Sequence, residues 1–202
     1  MSRKPRTSAR RLLACVALAV AGALGVAGTA SADPFGLDTP THNEPGVGSI
    51  PDSTIHTFCF SGAGWTAAWQ AIVNSRMLNL DVQTVYEGAT VACDAATDVT
   101  FELNSTMGAR GDSRCVTWNA VGFCDAAIVR LNSNAAVLPN DHQRRKTACH
   151  EIGHTVGLAH GDDTATFWND CMLSGTVAAG NQWEQYNAHH VAHINSRQAA
   201  AS

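Results

Sequence analysis

The strongest constraint on this chain is a run in which His150, Glu151, His154, Gly157 and His160 stand at set offsets. A helix turns once every ~3.6 residues, so His150 and His154 lie one turn apart and project from the same face. Glu151 sits about 100° round from His150, beside that face but not on it. Gly157 lets a chain leave a helix sharply through a positive φ, and the following turn brings His160 back toward the two imidazoles. Pro139-Asn140-Asp141 precedes the run as a stop and restart signal, with Asp141 as the expected N-cap of a helix from His142 to Val156. Whatever else the chain does, it must place one face of this helix where both imidazoles are useful.

Three neutral imidazoles around one open position describe a catalytic zinc site rather than a structural one. His150, His154 and His160 are the candidate ligands, and Glu151 is the candidate general base beside them. The bland alternative is that these histidines are unrelated helix residues. A shared face, an adjacent carboxylate and a glycine exit at matching offsets weigh against it.

The N-terminus reads as an address. Residues 1–11 are basic, residues 12–27 are almost wholly Leu, Ala, Val and Gly, and Ala30-Ser31-Ala32 fits a small-residue cleavage site. Residues 1–32 are therefore assigned as a secretory signal peptide, with the mature protein secreted and holding no stable membrane anchor. Without that segment the chain carries eight basic against seventeen acidic side chains, a net charge of −9. So acidic a protein has no footprint for phosphate backbones, which excludes nucleic acid as a partner.

Six cysteines remain after export: Cys59, Cys93, Cys115, Cys124, Cys149 and Cys171. An even count in an exported chain suggests disulfides, and no Cys-x-x-Cys spacing supports a zinc knuckle. Local loop closure favours Cys59–Cys93, Cys115–Cys124 and Cys149–Cys171. The last pair would clamp the histidine helix to the segment around Met172; chance adjacency with other partners is the competing reading.

Residues 33–54 are rich in proline (Pro34, Pro40, Pro45, Pro51) and read as an extended leader or short pro-segment, most simply a tail. Residues 55–202 form the expected catalytic domain, with one lobe over about 55–157 and a second over about 158–202. Ile55–Phe60 alternates like a strand, and Trp65, Trp69, Ile72, Val73 and Leu80 mark a first long helix. Thr90–Cys93, Val99–Leu103, Val116–Val121 and Ala127–Leu131 read as further strands, and Asn181–Ser196 as a final helix.

His-Glu-x-x-His-x-x-Gly-x-x-His followed by Met172, within Cys171-Met172-Leu173-Ser174-Gly175, resembles the metzincin zinc metalloendopeptidases. The Gly-Leu-x-His ending is similar to small matrixins, and the Cys-Met-Leu-Ser-Gly turn is similar to the small bacterial snapalysins. Snapalysins place Asp at the third ligand, where this chain has His160. The resemblance implies an α+β zincin domain: a mixed, mostly parallel twisted sheet, an active-site helix and a C-terminal helix. It also implies that Met172 sits in a tight turn beneath the zinc without ligating it. No Tyr follows Met172 closely, so a tyrosine ligand is not expected. An edge strand near Cys115–Val121 would align a peptide substrate in antiparallel pairing.

Protein or peptide substrates are thus the expected partners of a monomeric secreted endopeptidase, with one catalytic Zn²⁺. The alternative is a non-catalytic secreted zinc-binding protein on the same fold. Calcium, common in matrixins, would call on Asp112, Asp162 and Asp163, although no segment shows the alternating oxygens of a dedicated loop. Residues 33–54 hold no cysteine to silence a zinc. His189, His190 and His193 read as a surface or cleft-facing cluster, Arg144-Arg145-Lys146 as a solvated helix turn, and Arg110-Gly111-Asp112 as a chance tripeptide.

Overall fold

The structure, a computed structural model, describes residues 49–159 and 169–201. The signal-peptide assignment, most of the leader, and His160, Asp162 and Asp163 lie outside these residues. Among the described residues five strands form one sheet: β1 (Ile55–Ser61), β2 (Glu87–Thr90), β3 (Val99–Asn104), β4 (Gly111–Trp118) and β5 (Cys124–Asn132), in the order β2-β1-β3-β5-β4. The pairings β1–β2, β1–β3 and β3–β5 are parallel, and only β4 runs antiparallel, against β5. The described residues also form α1 (Ala67–Gln83), α2 (Asp141–Thr155) and, after a 3-10 turn at Asn181–Glu184, α3 (Ala188–Ala201). The protein is α+β with a mostly parallel sheet, as the sequence suggests.

Buried Trp69, Ile72, Val73, Met77 and Leu80 recur at helical spacing down one side of α1. They join Phe58, Val99, Phe101, Val129 and Leu131 of the sheet, and Ile152 of α2, in one core. Thr66 starts α1 by accepting from the Trp69 N–H at 3.3 Å. Burying each large apolar side chain contributes about 1.5–3 kcal/mol, so this core supplies most of the fold's driving force.

Several boundaries differ from the sequence reading for identifiable reasons. β2 precedes the expected Thr90–Cys93 because its register pairs Ile55 with Glu87 and Phe58 with Thr90; its largely exposed residues carry no alternation to read. β4 starts at Gly111 and ends at Trp118, short of Val121. The Asn119 side chain accepts from the Val121 and Phe123 N–H groups, turning the chain there. The expected helix over Asn181–Ser196 is two pieces. Cys171 donates its N–H to Gln185 O at 3.1 Å, holding that backbone outside a helix. Asn187 Oδ1 then accepts from the His190 N–H at 2.9 Å to start α3.

The end of the leader is packed rather than a tail. Ser49 donates its N–H to His154 O at 3.0 Å, and Ile50 O accepts from the Cys124 N–H at 2.9 Å. Ser49, Ile50 and Pro51 are buried. The body therefore begins before residue 55. Disulfides join Cys59 to Cys93, Cys115 to Cys124 and Cys149 to Cys171, the pairs that local loop closure favours.

Candidate metal centre and catalytic cleft

Asn140, not Asp141, caps α2: its side chain accepts from the Gln143 N–H at 2.9 Å. Asp141 becomes the acidic residue of the first turn, where it complements the helix dipole. At the other end the Leu158 N–H reaches Gly153 O at 3.0 Å and the Gly157 N–H reaches His154 O at 3.3 Å. Gly157 has φ +99°. This is a Schellman closure, and it depends on a residue that tolerates the left-handed region. Its consequence is local and chemical, because it folds Leu158 O back onto His154.

His154 Nδ1 donates to Leu158 O at 2.6 Å, and His150 Nδ1 donates to Cys171 O at 3.0 Å. A carbonyl can only accept, so each bond fixes the proton on Nδ1 and leaves the lone pair of the neutral ring on Nε2. The rings lie 4.8 Å apart between centroids, and both residues are buried. Two neutral imidazoles on one helix face, each with its other nitrogen bound to a carbonyl, fit the demands of a zinc site. Among the described residues no group of three His, Cys, Asp or Glu side chains forms a metal-holding cluster. The expected third ligand, His160, lies outside them.

The disulfide between Cys149 and Cys171 does more than close a loop, since Cys171 carries the carbonyl that orients His150. Met172 follows at once and is buried. A Cβ added at Gly153 would collide with Met172 Sδ and crowd Tyr186. Gly153, which the sequence reading passed over, is therefore what lets the methionine turn seat under the helix. Asp170 holds the turn: its carboxylate accepts from the N–H groups of Met172 and Asn187, each at 2.8 Å, and from His190 Nδ1 at 2.5 Å. His190 is thus fully buried and structural, not part of a surface cluster. The Tyr186 hydroxyl donates to Cys149 O at 2.8 Å.

Glu151 is buried against Gly111, whose added Cβ would lie 2.7 Å from Glu151 Cγ. Burial pushes its carboxyl up to about 8, the Asp112 charge adds to the rise and Lys146 opposes it. Arg110-Gly111-Asp112 is accordingly no idle tripeptide. Gly111 makes room for the candidate base, and Asp112 pairs with Arg130 while biasing Glu151. That pairing also commits one of the three proposed calcium donors. Lys146 is likewise not solvated, being buried with its ammonium donating to Leu173 O. Arg145 bonds Glu184 at 2.7 Å, and Arg144 lies over Trp69.

No protein-family model and no curated protein matches the chain. Solved structures with a distant likeness include myroilysin, at 13% identity and TM-score 0.38 over 56% of this chain. High choriolytic enzyme 1, a hatching enzyme zinc-protease from Oryzias latipes (medaka fish), matches at 12% identity and TM-score 0.34 over 57% of this chain. The chain spans about half the length of each, 52% and 50%. Archaemetzincin from Methanopyrus kandleri matches at 13% identity and TM-score 0.43, over 75% of this chain and 99% of its own. Among the described residues no helix is long and apolar enough to cross a membrane.

Proposed function

We propose that this protein is a secreted zinc-dependent endopeptidase in which His150, His154 and His160 hold the ion and Glu151 moves the proton. The observation that carries the reading is the pair His150 and His154, each fixed through Nδ1 to a carbonyl, with Glu151 buried one residue along the same helix. When bound, zinc supplies Lewis acidity, lowering the pKa of water toward neutrality and polarising the scissile carbonyl. Glu151 takes the proton of the attacking water and returns it to the leaving amine. Burial raises this carboxyl toward neutral pH, where taking and giving a proton are both within reach, while a neighbouring dication pulls the other way. The outer edge of β4, last in the strand order, is the proposed rail for the substrate backbone. Gly111 at its start sets that rail beside Glu151.

A non-catalytic zinc-binding protein needs the histidines but no buried carboxylate beside them. Glu151→Ala separates the two readings. Purified mature protein, with zinc quantified, is expected to cleave a mixed peptide library. The variant is expected to keep its zinc and lose activity by roughly 10²- to 10⁴-fold. Stoichiometric zinc with no cleavage by either form would sink the peptidase reading.

A further inference from the structure

A side-chain-sized cavity of about 170 Å³ opens beside Glu151. Its walls come from three places: Arg110 and Gly111 at the start of β4, Lys146 and His150 on α2, and Ser174 in the turn after Met172. Because Glu151 and His150 also face it, a substrate residue flanking the scissile bond is what this cavity would receive. Two of its walls are cationic.

The two cations are held in different ways. The Lys146 ammonium is buried and donates to Leu173 O. Arg110 donates one guanidinium nitrogen to Gln143 Oε1 at 2.7 Å and another to the Thr176 hydroxyl. Gln143 is itself buried and anchored, its amide donating to Val177 O at 2.8 Å. Arg110 is therefore positioned by neutral oxygens. Arg76, Arg130, Arg144 and Arg145 all have carboxylate partners instead. Among the described residues no carboxylate contacts Arg110. In a mature chain with seventeen acidic side chains against eight basic ones, a guanidinium fixed in a cleft by neutral groups alone stands apart. A guanidinium carries five N–H donors, of which two are engaged here, and its planar fork matches a carboxylate.

We infer that this cavity selects an acidic side chain, glutamate or aspartate, next to the peptide bond that is cut, with Arg110 as the residue that recognises it. The inference rests on the proposed peptidase activity and names its substrate class. Net charge would act in the opposite sense, since an acidic protein repels acidic peptides at long range. A preference for acid must then come from the cations of the cavity, and because Lys146 is buried and donates to Leu173 O, Arg110 is the one assigned to recognise it.

The experiment compares peptides that differ only by Glu, Gln or Lys at each position flanking the cleaved bond. Each is given to the zinc-loaded mature protein and to its Arg110→Gln, Arg110→Lys and Arg110→Glu variants, with folding checked by circular dichroism. The Glu-to-Gln ratio of kcat/KM is read within each protein, so any general loss of activity cancels. The wild type is expected to favour Glu by about 10- to 100-fold, the range of one charge-assisted hydrogen-bonded pair. Arg110→Gln should collapse the ratio toward one, Arg110→Lys should keep part of it, and Arg110→Glu should turn the preference toward Lys. A purely structural arginine would not invert a preference.

Cleavage without acidic preference, or a preference untouched by Arg110→Gln, overturns the inference and leaves the peptidase reading standing. No cleavage of any peptide overturns that reading instead. Binding of the same fluorescent Glu and Gln peptides to zinc-loaded Glu151→Ala then still decides the preference, because it needs no turnover. Equal affinities there would overturn the inference.

Discussion

The sheet with α1 and the segment from Asp170 onward are held by different physics. In the first, apolar side chains of the sheet and α1 pack into one core: Phe58 and Phe101 on neighbouring strands lie edge to face at 5.9 Å, and Phe60 and Trp65 lie tilted at 4.7 Å. In the second, a few apolar residues (Met172, Tyr186, Ile194) reach the core, and much of the attachment is polar or covalent. Asp170 gathers three donors. Glu184 accepts from Arg145 and His142, and its backbone oxygen accepts from Asn79 at 3.1 Å. Gln83 Nε2 donates to Tyr186 O at 2.8 Å. An apolar core loses stability in proportion to the volume removed. A polar clamp fails differently, because deleting one partner strands the others in a dry interior.

The largest effects should come from breaking one residue in each region. Phe101→Ala is expected to cost about 3–5 kcal/mol through the cavity it leaves. Asp170→Ala is expected to cost a similar 3–5 kcal/mol, because the His190 imidazole and two N–H groups lose their buried partner. The distribution of the loss separates them. Hydrogen exchange should rise across the whole chain for Phe101→Ala, and first within residues 169–201 for Asp170→Ala, with activity falling as the methionine turn loosens. If Asp170→Ala costs under about 1 kcal/mol in denaturant unfolding, the polar-clamp account is wrong.

A smaller effect tests the seam where the sheet meets the histidine helix. His56 on β1 is buried, and its Nε2 lies 3.0 Å from Thr155 Oγ1, next to His154. Burial pushes its imidazole down to about 4, against the pull of Asp98. The unfolded chain therefore binds a proton between about pH 6.5 and 4 that the native state does not. Stability is lost as pH falls through that window and levels off below it. At pH 4.5 the loss approaches about 2–3 kcal/mol relative to pH 7. Comparing wild type with His56→Gln in chelator, so that zinc linkage is removed, isolates this residue. Equal pH slopes in the two proteins would refute the account.

The same contrast explains what the sequence made legible. Periodicity marks α1, β1, β3 and β5 because each buries an alternating or helical stripe, and such stripes are local. The helix α2, buried without a break from Lys146 to Thr155, is legible instead from its start signal and the offsets of its histidines. The offsets of His150, Glu151, His154 and Gly157 were readable because a helix fixes their relative directions without help from the fold. Asp170, Lys146, Tyr186 and Gly153 were not readable. Their roles depend on partners 17–37 residues away or more, joined only by tertiary structure. Arg110-Gly111-Asp112 reads as a chance tripeptide in the sequence because nothing local says that a strand start will lie against Glu151. A glycine opening a strand that a helix crosses was the one signal available, and it is a weak one.

The start of α2 offers the smallest and most local test. Asn140 and Asp141 are both good N-cap residues, so propensity alone cannot choose between them. Geometry does choose: Asn140 has extended backbone angles, φ −148° and ψ 165°, and its side chain reaches the Gln143 N–H. Asn140→Ala should therefore cost about 1 kcal/mol in denaturant unfolding. Asp141→Ala should cost only a few tenths to about 0.5 kcal/mol, since it gives up a dipole interaction and a largely exposed pair with Arg144. Neither change should alter zinc content if His150 and His154 are ligands as proposed, because both lie more than two turns along the helix. Were Asp141→Ala the costlier of the two, the cap would sit one residue later, as the sequence pattern alone suggests. Gln143 would then lose the register that presents its amide to Arg110, and the proposed recognition of an acidic side chain would lose its support.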